Sequence, residues 1–379
     1  MVSYKITRKA RFKTPLINSI LLFCGFIASV ITLTQGSWQL YILLSILCYS
    51  IYRYSSSSRI RKDDFFSADF LLINICADLL FAIFYGVSNL IQNLAQQNLL
   101  QANMSQTNVL QIYLTYITQL DIIQVCITCS ILLKLGIFPI YNYTICTKYK
   151  SNIPFSILLF VFYPLIGIIA LEKIIQNILL TNEIHQLTIA IFLCITILFC
   201  SFNAYKTKNI TKFIASMSYC IFGFIIMGYI FTGNSNLKLA IFFTFALLGI
   251  FSLVEIVKIN INPEKINTSC LRGIFYNNRF FAILFIIFLL ILCSIFPNAI
   301  SKLNLEIIKL IYLSDKTGIY FISSIFLANT LVLLNSFKIA QNIFDFDNKV
   351  PKIKLTKRTT VNYVVPVVTI IILIINLFL

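Results

Sequence analysis

The feature that most constrains this chain is a series of long apolar runs, separated by short polar segments, over nearly its whole length. A helix needs about 20 apolar residues to cross a bilayer, and unpaired backbone cannot face lipid. No run alternates as a β-barrel strand does. The sequence therefore predicts an all-α, polytopic membrane protein with about eleven transmembrane helices in a single membrane domain, residues 1–379. The predicted spans are Leu16–Leu33, Trp38–Ile51, Phe65–Ile91, Ile122–Ile145, Ile153–Ile175, Leu187–Phe202, Phe213–Phe231, Leu239–Ile256, Phe280–Phe296, Ile319–Phe344 and Val361–Leu379.

Composition supports the same class. Hydrophobic residues make up 59% of the chain and charged residues 11%, whereas soluble domains carry about 25% charged residues. The net charge is +17, but the basic residues stand between apolar runs, so a nucleic-acid partner is excluded. Phe (35) and Tyr (19) are abundant while Gly (11) and Trp (1) are scarce, which indicates an A+T-rich genome such as that of an organelle.

The basic residues also predict orientation. They concentrate in every second loop, beginning with the N-terminal tail, so the N-terminus lies on the positive side. The later basic loop, residues 345–360, lies on that side only if residues 280–313 cross the membrane once. We therefore predict one broken helix over 280–313, interrupted at Pro297, which lacks a backbone donor. A broken helix at membrane depth is tolerated where it lines a polar cavity.

Ionisable side chains inside apolar spans are costly and usually mark an ion or proton path. Lys134 is the clearest case, because it lies near the middle of a span that has no other charge. A buried lysine can act as a reversible proton carrier, whereas a lysine near a span end can extend its ammonium group to the interface. Both interpretations stay open for the later lysines. The candidate proton-path residues are Lys134, Glu172, Lys173, Lys302 and Lys338.

Motifs for catalysis, cofactors and metals are absent from the sequence. It contains no GxGxxG, Walker, HExxH or GxSxG motif. Cys126 and Cys129 have CxxC spacing, but no second pair or histidine cluster completes a zinc site. We expect this chain to have no catalytic, cofactor-binding or metal site of its own.

Four segments occur in the order and spacing of one known family. Lys134-Leu135-Gly136-Ile137-Phe138-Pro139 matches a K-x-G-x-x-P segment, and Lys212-Phe213-Ile214-Ala215-Ser216-Met217-Ser218-Tyr219 is similar to a K-x-x-A-Y-S-S element. Ile295-Phe296-Pro297 precedes Lys302 like a proline-containing break, and Asn335-Ser336-Phe337-Lys338 is similar to the basic end of the next span. Over residues 40–379 the chain thus resembles the antiporter-like membrane subunits of respiratory NADH dehydrogenase (complex I). Its length and eleven crossings favour the shorter kind of sibling subunit.

The resemblance implies a proton-translocating core subunit, in which central lysines form a hydrated chain across the membrane. Proton transfer would be coupled to NADH:ubiquinone oxidoreduction elsewhere in the assembly. This chain would bind no cofactor, and NADH, FMN, Fe–S clusters and ubiquinone would be handled by other subunits. The implied partners are sibling antiporter-like chains and phospholipids, including cardiolipin. The implied location is the mitochondrial inner membrane, with the N-terminus and the loop 345–360 on the matrix side.

One departure from the family leaves the function open. The family carries a glutamate in an early span, and counting back from Phe65–Ile91 places that site near Ser45, where this chain has no acid. Such a chain moves protons by another route or does not move them. Two alternatives therefore remain beside the proton-translocating subunit: a stand-alone cation/proton secondary transporter, and a structural complex I subunit that has lost its proton path.

Overall fold

The architecture comes from a computed structural model of the chain. It describes residues 41–49, 65–101, 125–134, 157–178, 183–232, 237–261, 267–295, 299–314, 318–345 and 357–378, together with positions 39, 123 and 136.

The described residues are almost entirely helical. Within them, the one extended pairing is an isolated bridge between Asn209 and Asn267. A π-helical turn lies at Leu158–Phe162 and a 3-10 turn at Thr268–Leu271. The helices are α1 (41–49), α2 (Phe65–Gln101), α3 (Val125–Lys134), α4 (Tyr163–Ile178), α5 (Glu183–Lys206), α6 (Ile210–Thr232), α7 (Leu237–Ile261), α8 (Ile274–Asn277), α9 (Arg279–Leu292), α10 (Ala299–Ser314), α11 (Gly318–Phe344) and α12 (Lys357–Phe378).

The predicted all-α polytopic class is confirmed. Among the described residues, five helices are long and apolar enough to cross a membrane, namely α2, α5, α6, α7 and α11. Shorter apolar helices lie in α3, α4, α9 and α12. Every predicted span after the first corresponds to a described helix. The first, Leu16–Leu33, lies outside the described residues.

α6 occupies the centre of the bundle because its sequence is apolar on all sides. The whole apolar window of Ile210–Phe231 is buried, whereas only 22% of the α2 window and 33% of the α11 window are. A helix that is apolar all round belongs in a core or a membrane. α5 and α10 pack against α6, and α11 packs against the outer side of α5. The outer helices therefore leave broad apolar faces toward the surroundings of the chain.

Close packing brings α7, α9 and α12 together at Gly249. A Cβ atom built on this glycine would lie 2.3 Å from the ring of Phe288 on α9 and 3.0 Å from the hydroxyl of Thr369 on α12. These distances are far below van der Waals contact, so the α9 ring occupies the space that a side chain would need. Gly249 thus sets how near α9 and α12 approach α7.

The predicted broken span corresponds to two separate helices, α9 and α10. α9 ends at Leu292, and Ser294 follows with φ of 59°, a left-handed conformation that is uncommon outside glycine. The N–H of Ser294 donates to the carbonyl of Ile291 (2.9 Å), which closes the last turn of α9. Pro297, the predicted cause of the break, lies outside the described residues, as does most of the loop 345–360.

One predicted span, Ile122–Ile145, is interrupted at Gly136, and its predicted end lies outside the described residues. The predicted end of Phe65–Ile91 is wrong. α3 ends at Lys134, so this lysine lies at a helix end and not in the middle of a continuous helix. Gly136 causes the ending, because it adopts φ of 71° and its N–H donates to the carbonyl of Leu133 (3.0 Å). α2 runs ten residues past the predicted end at Ile91. The residues after Ile91 include several good helix formers and no Gly or Pro, so nothing in the sequence ends the helix there.

Candidate functional site

The candidate site is built around Lys134 and uses side chains from four helices. On α1, Tyr41, Ser45 and Cys48 recur at intervals of four and three residues, so they share one helical face. That face meets Asp78 on α2, Lys134 at the end of α3 and Tyr163 at the start of α4. We call Tyr41, Ser45, Asp78, Lys134 and Tyr163 the Lys134 cluster.

Lys134 forms an ion pair with Asp78. The lysine side chain is 0% exposed, and its ammonium nitrogen donates to the carboxylate of Asp78. The carboxylate side chain is 38% exposed at the surface of the chain. An isolated buried ammonium group costs several kcal/mol, and the contact with the Asp78 carboxylate offsets part of this cost. The pair therefore links a fully buried cation to the outer surface of the chain.

Ser45 lies between the two charged groups. Its hydroxyl oxygen accepts from the Lys134 ammonium group at 2.5 Å. Its single proton has two acceptors within reach, the Asp78 carboxylate at 2.9 Å and the Tyr41 carbonyl at 3.0 Å. A hydroxyl group has one proton and two lone pairs, so Ser45 can serve both partners of the ion pair at once. Ser45 lies near the place where the sequence analysis expects a glutamate in the family that this chain resembles. The carboxylate present in this cluster is that of Asp78 on the neighbouring helix.

The stacked rings of Tyr41, Phe81 and Tyr85 form an aromatic column next to the Lys134 ammonium group. The Lys134 ammonium nitrogen lies 4.1 Å from the centre of the Tyr41 ring, a cation–π contact. The Tyr41 ring stacks on Phe81 with centroids 3.6 Å apart and planes within 5°, and Phe81 stacks in turn on Tyr85 at 5.5 Å. Because Phe81 follows Asp78 by three residues, one face of α2 provides both the carboxylate and the column. The column fixes the position of α1 relative to α2.

The backbone at the end of α3 is also held in place. The hydroxyl of Tyr163 donates to the carbonyl of Lys134, and the thiol of Cys48 lies 3.0 Å from the same hydroxyl. Tyr163 directly follows the π-helical turn Leu158–Phe162, and such turns are frequent at functional sites. A helix end and a π-helical turn thus meet beside the buried lysine. Interrupted backbone of this kind is tolerated at membrane depth where it is buried in protein.

The candidate site residues taken from the sequence include Lys134, and the missing family glutamate falls near Ser45. Asp78 and Tyr41 are not among those candidates. The available signal for Asp78 was its position inside Leu72–Ile91, an apolar span with no other charge. An acid in such a span needs a partner as much as a lysine does. For Tyr41 the sequence carries no comparable signal, because aromatic residues occur throughout this chain.

A mainly apolar cavity of about 260 Å³, with a few polar side chains in its wall, lies beside the break between α9 and α10. Ser294, Ser301 and Asn304 line it from the broken segment, and Asn329 and Thr330 line it from α11. The amide nitrogen of Asn304 donates to the hydroxyl of Ser294, while its buried carbonyl oxygen has no protein partner in the described structure. A buried polar oxygen in a cavity of this size is suited to ordered water.

Two of the other predicted path residues, Lys302 and Lys338, are not part of the Lys134 cluster. Lys302 is exposed on α10, and Lys338 is exposed on α11, with its ammonium nitrogen 4.2 Å from the centre of the Tyr205 ring. Glu172 and Lys173 lie on α4, but their side chains are outside the described residues. No cluster of potential metal ligands occurs among the residues that the structure describes.

Comparison with solved structures shows the fold. A chain of respiratory complex I from Thermus thermophilus with bound aureothin matches with a TM-score of 0.66 and 13% identity, over 94% of this chain and 77% of its own length. A chain of the membrane-bound sulfane sulfur reductase, an archaeal respiratory membrane complex, matches with a TM-score of 0.77 and 13% identity, over 93% and 71%. A chain of the Mrp complex from Dietzia sp. DQ12-45-1b matches with a TM-score of 0.74 and 14% identity, over 92% and 73%.

Neither a protein-family model nor a curated protein matches the sequence. At 13–14% identity the structural similarity concerns the fold alone. The fold that this chain shares with them is the all-α polytopic membrane fold predicted from the sequence.

Proposed function

We propose that this chain is a proton-translocating membrane subunit of a respiratory complex, with the Lys134–Asp78 pair as its proton-exchanging centre. The observation that carries the proposal is the fully buried Lys134 ammonium group in contact with a carboxylate that reaches the surface. Ionisable residues inside membrane spans are rare, pair with one another, and mark ion pathways and proton relays. The antiporter-like fold supports the same function.

The geometry suggests how the pair exchanges protons. A proton that arrives at the exposed side of Asp78 neutralises the carboxylate. The ammonium group of Lys134 is then left in the core without its counter-charge, which favours the release of one of its protons. Ser45 contacts both groups and provides a hydroxyl relay between them. One proton enters at Asp78 and one leaves Lys134. Transfer of the Asp78 proton through the Ser45 hydroxyl to the neutral Lys134 amine then restores the ion pair, so each cycle is balanced.

Charged groups on the outer surface support a multi-subunit assembly. Lys302, Glu306 and Lys309 recur at intervals of four and three residues on α10, and all three are exposed in this chain. Such side chains are not accommodated against lipid, so we propose that they and Asp78 face neighbouring protein. The three structurally similar proteins are all parts of multi-subunit complexes, two of them respiratory by title, which supports this kind of partner.

The sequence motifs favour a more specific assignment. We propose that the assembly is mitochondrial complex I, in the inner membrane, and that this chain is its antiporter-like subunit 2 (NADH dehydrogenase subunit 2). The chain would then do no redox chemistry of its own, and NADH, FMN, Fe–S clusters and ubiquinone would be bound by other subunits. Support comes from the Lys134 and Lys212 segments, from the chain length, and from an amino-acid composition that indicates an A+T-rich genome.

Native gel electrophoresis with mass spectrometry tests the assembly. We expect this chain to co-migrate with NADH dehydrogenase activity in solubilised inner membranes. A chain that runs as a free monomer would remove the complex I assignment and favour a stand-alone transporter.

Proton uptake by the reconstituted complex tests the role of Lys134. We expect Lys134→Met to lower the number of protons taken up per NADH oxidised, while Lys238→Met, which removes an exposed lysine near the start of α7, leaves it unchanged. Normal uptake with Lys134→Met would exclude the lysine as a proton carrier and favour a structural subunit.

A further inference from the structure

A second polar feature lies on another part of the molecule, where two connecting segments and α11 surround an open cavity of about 730 Å³. Lys206 and Lys208 line it from the connection between α5 and α6, Arg272 lines it from the 3-10 turn region, and Lys338 lines it from α11. Each of these cations is exposed. We call this feature the basic cavity.

The charge of the basic cavity is strongly unbalanced. Among the described residues that line it, the one acid is Asp345, and its carboxylate lies 3.9 Å from the Nε atom of Arg272, with both side chains more than half exposed. Three lysine ammonium groups therefore remain without an acid in the described wall. Neutral donors, including the hydroxyls of Thr268 and Ser269, add hydrogen-bonding capacity. A cavity with this lining is suited to an anion with several acceptor oxygens, such as a phosphate group.

The walls of the basic cavity are fixed by hydrogen bonds that join α11, the connection between α5 and α6, and residues 267–273. The amide of Asn335 on α11 donates to the carbonyls of Ala204 at 2.5 Å and Thr207 at 3.4 Å. The N–H of Thr268 donates to the carbonyl of Lys208 at 2.9 Å, and the N–H of Gly273 donates to that of Asn342 at 3.3 Å. The cations are thus brought together by the fold itself, so an anion would not have to assemble the site.

The surroundings of the cavity identify the kind of anion. Lys206 is the last residue of its membrane span, and its ammonium nitrogen lies 4.1 Å from the centre of the Phe202 ring. Phe202 is 45% exposed and Phe337, beside Lys338, is 52% exposed. Basic groups at a span end, next to exposed aromatic rings, occupy the level of lipid headgroups.

We propose that the basic cavity binds the phosphate group of an anionic phospholipid, whose acyl chains lie along the exposed faces of α5 and α11. Lys206, Lys338 and Arg272 contact the phosphate, and Lys208 adds to the positive potential. Basic pockets between transmembrane helices recognise anionic lipid headgroups in this way. The proposal does not depend on the function assigned to the Lys134 cluster.

Native mass spectrometry of the full-length chain in detergent tests the site, with phosphatidylglycerol, phosphatidylcholine and inorganic phosphate as separate probes. We expect phosphatidylglycerol to be retained and phosphatidylcholine to be lost. Lys206→Gln/Lys338→Gln should weaken phosphatidylglycerol binding by about 25-fold, since each lysine near anionic lipid contributes about fivefold. The control, Lys238→Gln, removes an exposed lysine elsewhere and should bind as the unmodified chain does.

Equal weakening in the control and the double variant would overturn the proposal, because only general surface charge would then matter. Displacement of the lipid by an equal concentration of inorganic phosphate would overturn the lipid assignment in favour of a free-phosphate site. A salt titration of the unmodified chain provides a test that needs no variant. We expect affinity for phosphatidylglycerol to fall as ionic strength rises, and an affinity that does not change with salt would contradict the proposed contacts.

Discussion

Replacement of Asp78 by asparagine removes the carboxylate of the Lys134–Asp78 pair while keeping the size of the side chain. Removing one partner of a buried ion pair costs about 3–5 kcal/mol, because the other charge stays buried. Lys134 is 0% exposed but Asp78 is 38% exposed, so part of the interaction is screened. We therefore expect Asp78→Asn to lower the free energy of unfolding by about 2–4 kcal/mol.

A double-mutant cycle in mixed micelles measures this energy. The free energy of unfolding is determined for Asp78→Asn, for Lys134→Met and for the double variant. Because both single changes break the same pair, we expect the double variant to lose at least about 2 kcal/mol less than the sum of the two. Additivity within about 0.5 kcal/mol would refute a direct interaction between Lys134 and Asp78.

Restoring a carboxylate at position 45 tests the geometry of the cluster. The Ser45 hydroxyl lies 2.5 Å from the Lys134 ammonium nitrogen, so an aspartate there brings a carboxylate within reach of the same cation. We expect Ser45→Asp to recover at least half of the stability lost in Asp78→Asn. Ser88→Asp serves as the control, since Ser88 is a buried serine on α2 ten residues beyond Asp78. Equal recovery from both serine positions would contradict the proposed role of Ser45.

Three further predictions concern the backbone, the core and the assembly. Gly136→Ala forces a side chain into a left-handed conformation at φ of 71° and should lower the free energy of unfolding by about 1–2 kcal/mol; an unchanged unfolding midpoint would contradict this. Gly249→Ala places a methyl group against Phe288 and should lower the free energy of unfolding by about 1–3 kcal/mol. In the same unfolding assay Gly86→Ala should be neutral or stabilising, because its methyl group meets nothing within 4 Å. Replacing Lys302 and Lys309 by leucine should reduce co-migration with the complex on native gels without lowering the stability of the isolated chain, and normal assembly would argue against a protein partner at α10.

The fold was predictable from the sequence to the extent that it depends on local pattern. Long apolar runs determine the spans after the first, and a lone lysine in such a run identified Lys134. The ion pair was not predictable in the same way, because Asp78 and Lys134 are 56 residues apart and meet only through the packing of α1, α2 and α3. The end of α3 at Lys134 was missed although Gly136 stands two residues later, because the apolar run continues past it.

The basic cavity illustrates a second limit of sequence reasoning. Lys206, Arg272 and Lys338 belong to separate segments, and the regular alternation of basic loops explains the presence of the first two through membrane orientation alone. Their convergence depends on hydrogen bonds between distant segments, such as those from Asn335 on α11 to the end of α5, and no local pattern encodes these bonds. Lys338 was a candidate for the proton path because of its place in the sequence. The structure places it in the wall of this cavity, and its part in a proton path stays a prediction.

Infrared difference spectroscopy of the assembled complex during NADH oxidation tests the central claim most directly, because it records the protonation of single carboxyl groups. If Asp78 accepts the proton that displaces one from Lys134, turnover produces a protonated-carboxyl band. We expect that band to be absent in Asp78→Asn and retained in Asp345→Asn, which neutralises the acid of the basic cavity. A carboxyl region that is identical in Asp78→Asn and the unmodified complex would contradict proton exchange at the Lys134–Asp78 pair.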